Sequence, residues 1–244
     1  MIDVTAVTKR HGAIVSADRV SFTAPAGAVT GLLGPNGAGK SSVLRIICDL
    51  DRADSGTATV CGRRYREHPV PMRVAGAQFE GSGAHPSRRA IDHLRWVART
   101  NRLPDRKVTE VLETVGLQPR DWKRRVKEYS LGMQQRLGIA TALLGDPRAL
   151  IFDEPANGLD PIGIQWLRGL LTGLARDGRT VLLSSHLMSE TEMVADRVVL
   201  MDRGRVIGDG EVGELVRAHG SLETAFFDRL ERSRRQDPTP GAAR

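Results

Sequence analysis

The apolar positions of this chain follow two different periods. Residues 2–7 and 19–23 alternate apolar and polar side chains, as strands with one buried face do. Between residues 91 and 144 the apolar side chains recur every three or four positions, which is the spacing of helices that bury one face. The pattern predicts a pair of antiparallel strands near the N-terminus and a helical segment in the middle of the chain.

Strand-length apolar runs alternate with helical stretches in the rest of the chain. The predicted strands are 28–33, 57–60, 74–79, 149–152, 180–184, 197–201 and 206–207, and predicted helices follow residues 41, 160 and 186. This alternation is typical of an α/β fold. We expect an α/β domain at 1–215 with a helical insert at about 85–145, a helical extension at 216–232 and a disordered basic tail at 233–244.

Composition changes this picture little. The chain has 244 residues, 40% of them hydrophobic, and its formal net charge of +7 would raise nucleic acid as a partner. The basic residues are mostly arginines scattered along the chain, and aromatic residues make up only 4%, so no nucleic-acid partner is expected. Two cysteines, Cys48 and Cys61, are too few for a metal cage. No run approaches the ~18 apolar residues of a membrane span, which predicts a soluble, cytoplasmic chain.

One stretch, residues 34–41, carries the phosphate-binding pattern G-x-x-x-x-G-K-[ST] between a predicted strand and a predicted helix. Its glycines allow backbone N–H groups to surround a polyphosphate, and the helix N-terminus adds partial positive charge. We expect Lys40 to reach the β- and γ-phosphates of ATP and the Ser41 hydroxyl to coordinate Mg²⁺. The alternative is a glycine-rich turn that only caps a structural helix. The predicted nucleotide contacts are Gly34, Pro35, Asn36, Gly37, Ala38, Gly39, Lys40, Ser41 and Ser42.

An acidic pair follows the apolar strand at 149–152. Strand alternation would place Asp153 and Glu154 on opposite sides, which suits two different roles. Asp153 is expected to hold Mg²⁺ through its water shell, and Glu154 to polarise a water for attack on the γ-phosphate. Acidic residues also end many strands without any catalytic role, so this pair gains its meaning from the phosphate loop.

Residues 129–137 read Tyr-Ser-Leu-Gly-Met-Gln-Gln-Arg-Leu, which resembles the signature segment of ATP-binding cassette (ABC) ATPases in the S-L-G-M-x-Q form of some bacterial exporters. The Asn-Gly-Leu-Asp run at 157–160 resembles the D-loop of that family, and His186 its switch histidine. Residues 1–215 carry the resemblance. It implies a phosphate-loop NTPase core of the ABC type, with an antiparallel β subdomain and a helical insert.

Ser130 and Gly132 precede a predicted helix from about Met133, so they present a hydroxyl, N–H groups and a helix N-terminus to an anion. The resemblance implies a head-to-tail homodimer in which this segment, including Gln134, and Asp160 of the D-loop complete the other subunit's ATP site. It also implies that His186 contacts the γ-phosphate and the attacking water. The alternatives are an ordinary N-cap for Ser130 and a merely structural histidine.

Two positions depart from the family pattern. His11 stands where many cassettes have an aromatic ring on adenine, so stacking should be weaker. The residue that matches the family's loop glutamine is Glu80 rather than Gln78, and this carboxylate would bind Mg²⁺ beside the nucleotide. Residues 221–227 look like the S-L-E-x-x-F ending of exporter ATPases, with an amphipathic surface helix as the alternative.

These resemblances imply the ATPase subunit of a bacterial exporter of drugs or antibiotics. Its partners would be a second ATPase subunit and a separate integral membrane permease, which would keep the chain on the inner face of the cell membrane. One rival is a cassette protein that acts on ribosomes, on nucleic acid or as an assembly scaffold. Another is a phosphate-loop kinase, which has no use for a second chain's anion site.

Overall fold

The computed structural model describes residues 1–79 and 81–236. The strands are β1 Ile2–His11, β2 Ile14–Ala24, β3 Val29–Leu33, β4 Ser55–Val60, β5 Ala75–Gln78, β6 Ala149–Asp153, β7 Thr180–Ser185, β8 Arg197–Asp202 and β9 Arg205–Glu211. The helices are α1 Lys40–Ile47, α2 Ala90–Thr100, α3 Arg106–Thr114, α4 Pro119–Trp122, α5 Leu131–Leu143, α6 Pro161–Arg176, α7 Met188–Glu192, α8 Val212–His219 and α9 Leu222–Gln236. The predicted α/β fold is confirmed.

Among the described residues, six strands form one sheet in the order β5-β6-β7-β3-β8-β9. Neighbours in it are parallel except β9, which is antiparallel to β8. A smaller antiparallel sheet has the order β2-β1-β4, so the predicted pairing of the first two strands is also confirmed. Because β6, β7 and β3 are parallel neighbours, their carboxyl ends meet at one edge of the large sheet.

The central strands β3 and β7 are buried along their whole length, as parallel strands covered on both faces are. Their side chains still alternate between two cores. Leu33 and Leu183 face a core shared with α2 to α6, α8 and α9. Leu32 and Leu182 face a second core, where α1 and the antiparallel sheet pack on the other side. The large sheet is therefore the layer that fixes the positions of both halves.

Helices α2 to α5 lie between β5 and β6 in the chain and share the first core. Near the C-terminus, α9 extends to Gln236, four residues beyond the boundary predicted at residue 232. The predicted disordered tail began at residue 233, so its residues 233–236 are helical, and residues 237–244 lie outside the described residues. Within the described part of the chain, no helix is both long enough and apolar enough to cross a membrane.

Candidate active site

The phosphate loop joins β3 to α1, and its glycines meet constraints that a side chain would violate. Gly37 and Gly39 have φ of 82° and 96°, in the left-handed region that favours glycine. A Cβ on Gly39 would collide with the Ser16 carbonyl oxygen, and one on Gly34 with the Met201 carbonyl oxygen. At Gly37 the space a Cβ would fill is open. The loop is thus packed against the protein at Gly34 and Gly39 and open at Gly37.

Lys40 begins α1 and is only 5% exposed. Its Nζ donates to the Gly34 carbonyl oxygen at 2.7 Å and to that of Pro35 at 3.3 Å, so the ammonium group lies over the loop. Ser41, the next residue, is exposed in the first turn of α1. No acidic side chain lies in that turn, so its partial positive charge is uncompensated there. The loop therefore offers an anion a helix N-terminus and an ammonium group together.

The acidic pair lies at the end of β6, but strand alternation does not separate its two side chains as predicted. The strand ends at Asp153, and Glu154 has φ of 50°, outside the extended region. The reversal at Glu154 directs its carboxylate to the phosphate loop, where Oε1 lies 3.4 Å from Lys40 Nζ. A non-glycine residue at positive φ is strained, and such strain concentrates at functional sites.

His186 follows β7 and contacts the same carboxylate. Its Nδ1 lies 2.9 Å from Glu154 Oε2. The Glu154 carboxylate is thus held between an ammonium group on one oxygen and an imidazole on the other. A carboxylate oriented by two partners at the edge of a phosphate loop can accept a proton or a hydrogen bond from a water molecule there.

Ser184 is a site residue that the sequence reasoning missed. Its Oγ donates to Asp153 Oδ1 at 2.5 Å and accepts from the Glu154 N–H at 2.9 Å. The residue is fully buried and pairs with Asp153 in the parallel register of β6 and β7. The available signal was a serine directly after the apolar run from Val181 to Leu183. One hydroxyl therefore orients both acidic residues.

The signature segment forms the N-terminus of α5. The helix begins at Leu131, so Gly132 lies inside its first turn. The prediction that Gly132 precedes the helix is therefore wrong. Ser130 is the exposed N-cap and its Oγ accepts from the Met133 N–H at 3.2 Å. The capping interpretation is therefore correct for this hydroxyl, and the helix N-terminus remains at the surface. Gln134 Nε2 donates to the Tyr129 carbonyl oxygen at 3.3 Å.

The D-loop packs on the signature segment within the same chain. A Cβ added to Gly132 would lie 3.2 Å from the Gly158 carbonyl oxygen, and the Leu131 side chain fills the space beside Gly158. Asp160 caps α6, with Oδ1 accepting from the Gly163 N–H at 2.7 Å. The predicted site residues thus form two clusters. One is Lys40, Asp153, Glu154 and His186, and the other is Ser130, Gly132 and the D-loop.

Of the two positions that depart from the family pattern, His11 is among the described residues and Glu80 is not. His11 lies at the exposed end of the β1–β2 hairpin, opposite Ile14. Glu80 lies outside the described residues. Gln78, its alternative, is only 3% exposed and donates from Nε2 to Gln135 Oε1 of α5 at 2.6 Å. Its side chain is therefore engaged with the signature helix.

The donor set suits a nucleoside triphosphate and a divalent cation. The loop and Lys40 present N–H groups and positive charge, which complement a polyphosphate. Ser41 and Asp153 offer hard oxygen ligands, which Mg²⁺ prefers to nitrogen or sulfur. Together with Glu154, this arrangement defines the class of the protein as a phosphate-loop nucleotide hydrolase.

Comparison with known proteins narrows this class. Residues 17–157 match the ABC transporter family. The chain is 40% identical over 210 residues to the uncharacterized ABC transporter ATP-binding protein YhcH of Bacillus subtilis, covering 85% of this chain and 68% of YhcH. It is 37% identical over 211 residues to the lantibiotic transport ATP-binding protein SrtF of Streptococcus pyogenes, covering 86% and 91%. The bacitracin transport ATP-binding protein BcrA of Enterococcus faecalis is 36% identical over 220 residues, covering 88% and 70%.

Solved structures agree. An ATP-binding subunit of an ABC transporter superposes with a TM-score of 0.84 at 27% identity, covering 94% of this chain and 99% of that one. The cassette MJ0796, solved as a dimer bound to ADP and Pi, has the same fold, with a TM-score of 0.76 at 23% identity over 87% of this chain and 99% of its own. The chain belongs to the ABC transporter family and is an ATP-binding, ATP-hydrolysing protein of that family.

Proposed function

We propose that this chain is the ATPase subunit of a bacterial exporter that moves an antibiotic or a similar small molecule through a separate membrane permease. The observation that carries the ATPase chemistry is the Glu154 carboxylate held between Lys40 and His186. Export is supported by SrtF and BcrA, whose names describe lantibiotic and bacitracin transport. The proposal places the ATPase domain at 1–215 and the protein on the inner face of the membrane.

In this proposal the phosphate loop binds the ATP phosphates, and Lys40 offsets the charge that develops on the transferred phosphoryl group. Glu154 accepts a hydrogen bond from the attacking water and polarises it, while His186 orients the carboxylate and contacts the γ-phosphate. Mg²⁺, when bound, neutralises phosphate charge, and Ser41, Asp153 and Glu80 are the residues proposed to hold it. Ser184 fixes the Asp153 carboxylate in this set.

The second cluster is assigned to a head-to-tail dimer. Ser130 and Gly132 form a surface helix N-terminus, which attracts anions. Leu131 in this helix turn is 55% exposed, and Ile162, two residues after the D-loop, is 75% exposed; such side chains favour an interface. In a two-fold arrangement each signature segment would meet the partner's phosphate loop. The cassette MJ0796, which was solved as a dimer, supports the proposal of a dimer.

A transport experiment tests the proposal. The chain should be expressed with the membrane protein encoded beside it, in cells that are sensitive to lantibiotics and to bacitracin. We expect the pair to co-purify from membranes and to raise resistance to one of these compounds severalfold. Glu154→Gln is the matched control, because it keeps the complex but removes the charge needed for hydrolysis.

Two results would contradict the proposal. One is unchanged resistance to every compound tested while the complex forms and hydrolyses ATP. The other is a neighbouring gene that encodes a ribosomal or repair factor which co-purifies with the chain in place of a membrane protein.

A further inference from the structure

The S-L-E-x-x-F segment begins a docked helix. Ser221 is the residue before α9, and its Oγ accepts from the Thr224 N–H at 3.1 Å. Leu222, Ala225, Phe226 and Leu230 are all buried in the core shared with α6 and β7. The sequence pattern therefore encodes an N-cap followed by an apolar face, which binds α9 to the ATPase core.

A second contact at the start of α9 comes from a distant residue. The Leu222 N–H donates to Oε2 of Glu192 at 2.9 Å, across 30 residues of sequence. Glu192 is the last residue of α7. A carboxylate at a helix N-terminus gains from both the hydrogen bond and the positive end of the helix dipole. Helix α7 thus ends in a residue that caps α9.

Helix α7 also begins next to the site, because only Leu187 separates it from His186. On its other side Glu190 forms an ion pair with Arg168 of α6, at 2.6 Å. Thr191 of α7 is buried. This five-residue helix is therefore held between α6 and α9 and has little freedom to move without moving His186.

We propose that α9 supports the switch histidine, His186, through α7, and that Glu192 is the positioning residue that connects the two helices. With the Glu192 cap in place, α7 holds His186 against Glu154. Without it, the start of α9 separates from the end of α7, and the His186–Glu154 contact loosens. The inference rests on the proposed role of His186 in hydrolysis. It gives the C-terminal extension control over the rate of that step.

The test compares the kinetics of variants of the full chain. Glu192→Ala should lower kcat for ATP about three- to tenfold and leave KM within about twofold, because the phosphate loop is untouched. Glu192→Gln should recover most of the rate, since its amide oxygen can accept the same hydrogen bond. Glu223→Ala is the matched control: it removes an exposed glutamate from the first turn of α9 and should not change kcat.

A double-mutant cycle separates positioning from general destabilisation. In a His186→Ala background, Glu192→Ala should have no further effect on kcat, because the residue it positions is gone. An equal loss in both backgrounds, or an unchanged kcat in a folded Glu192→Ala protein, overturns the proposal. If Glu192→Ala does not fold, Glu192→Asp replaces it with the same expected lack of additivity.

The ATPase assignment is checked separately in the same assay. If Glu154→Gln still hydrolyses ATP normally, the proposed catalytic chemistry fails. If Glu154→Gln is inactive but the effects in the double-mutant cycle are additive, only the proposed positioning of His186 by Glu192 and α9 fails.

Discussion

At the scale of single residues, the site depends on how carboxylates are oriented. Glu154 gains its position from a backbone reversal with φ of 50°, and Asp153 gains its orientation from the Ser184 hydroxyl. The sequence identifies both acids because they follow an apolar strand and belong with a phosphate loop. It offers only a weak signal for Ser184, a serine after an apolar run, because the role of that serine depends on which strand pairs with β6. Pairing between strands distant in sequence is not written in any local pattern.

Ser184→Ala provides a direct test of that orientation. The variant deprives Asp153 of its donor and leaves the Glu154 N–H without its acceptor in a partly buried place. We expect a loss of about 1 to 3 kcal/mol in the free energy of unfolding and a fall of about tenfold in kcat. Denaturant unfolding and steady-state ATPase assays would measure the two effects. A variant with wild-type kcat would show that the hydroxyl has no part in hydrolysis.

His11 is the residue whose proposed role is best examined by a gain of function. It lies exposed at the end of the β1–β2 hairpin, where a larger aromatic ring can be introduced without disturbing the core. We predict that His11→Tyr tightens ATP binding by roughly 0.5 to 1.5 kcal/mol, the range for an added aromatic stack, with little change in maximal rate. Calorimetric titration would measure the affinity. Unchanged or weaker binding would mean that adenine is held elsewhere.

At the scale of elements, periodicity predicts most of the strands and helices because one-sided burial controls their sequences. Ends of elements are harder to predict, since they depend on capping and on backbone reversal. The start of α5 is one example: the Ser130 cap places Leu131 and Gly132 inside the helix. The length of α9 is another, because its last turn is polar and lacks the apolar pattern that predicts a helix.

A pH effect follows from the packing of α2 on α5. His93 of α2 is only 4% exposed and faces Thr141 of α5, with Nε2 at 3.4 Å from Oγ1. Burial lowers the pKa of His93 to about 4, and the charge of Arg88 adds to this effect. In the unfolded chain the His93 side chain therefore binds a proton near pH 6.5, whereas in the folded chain it binds one only near pH 4.

The free energy of unfolding should consequently fall as the pH drops through that window. Between pH 7 and pH 5, we predict that the free energy of unfolding of His93→Leu falls by about 1 kcal/mol less than that of the wild type, after allowance for solvent screening. Urea unfolding at the two pH values would measure the difference. Equal losses in both proteins would mean that His93 titrates normally.

At the scale of the whole molecule, the large sheet organises two clusters of the predicted site residues. One lies where the carboxyl ends of β3, β6 and β7 meet, and the other lies where α5 meets the D-loop. The family motifs indicate the residues of both clusters, and their roles in ATP hydrolysis stay predictions. The motifs do not reveal how the helices connect the two clusters to the rest of the protein. The contact between Glu192 and α9 is an example. That contact joins side chains and backbone far apart in sequence.

The central claim is that Glu154 drives ATP hydrolysis at a site shared by two subunits. The most direct measurement is the ATPase rate and the size-exclusion profile of Glu154→Gln in the presence of ATP and Mg²⁺. Because glutamine keeps the size but not the charge of the side chain, we predict at least about a hundredfold loss of hydrolysis and a shift from monomer to ATP-bound dimer. Normal hydrolysis by this variant, or a monomer that binds ATP but never dimerises, would contradict the account.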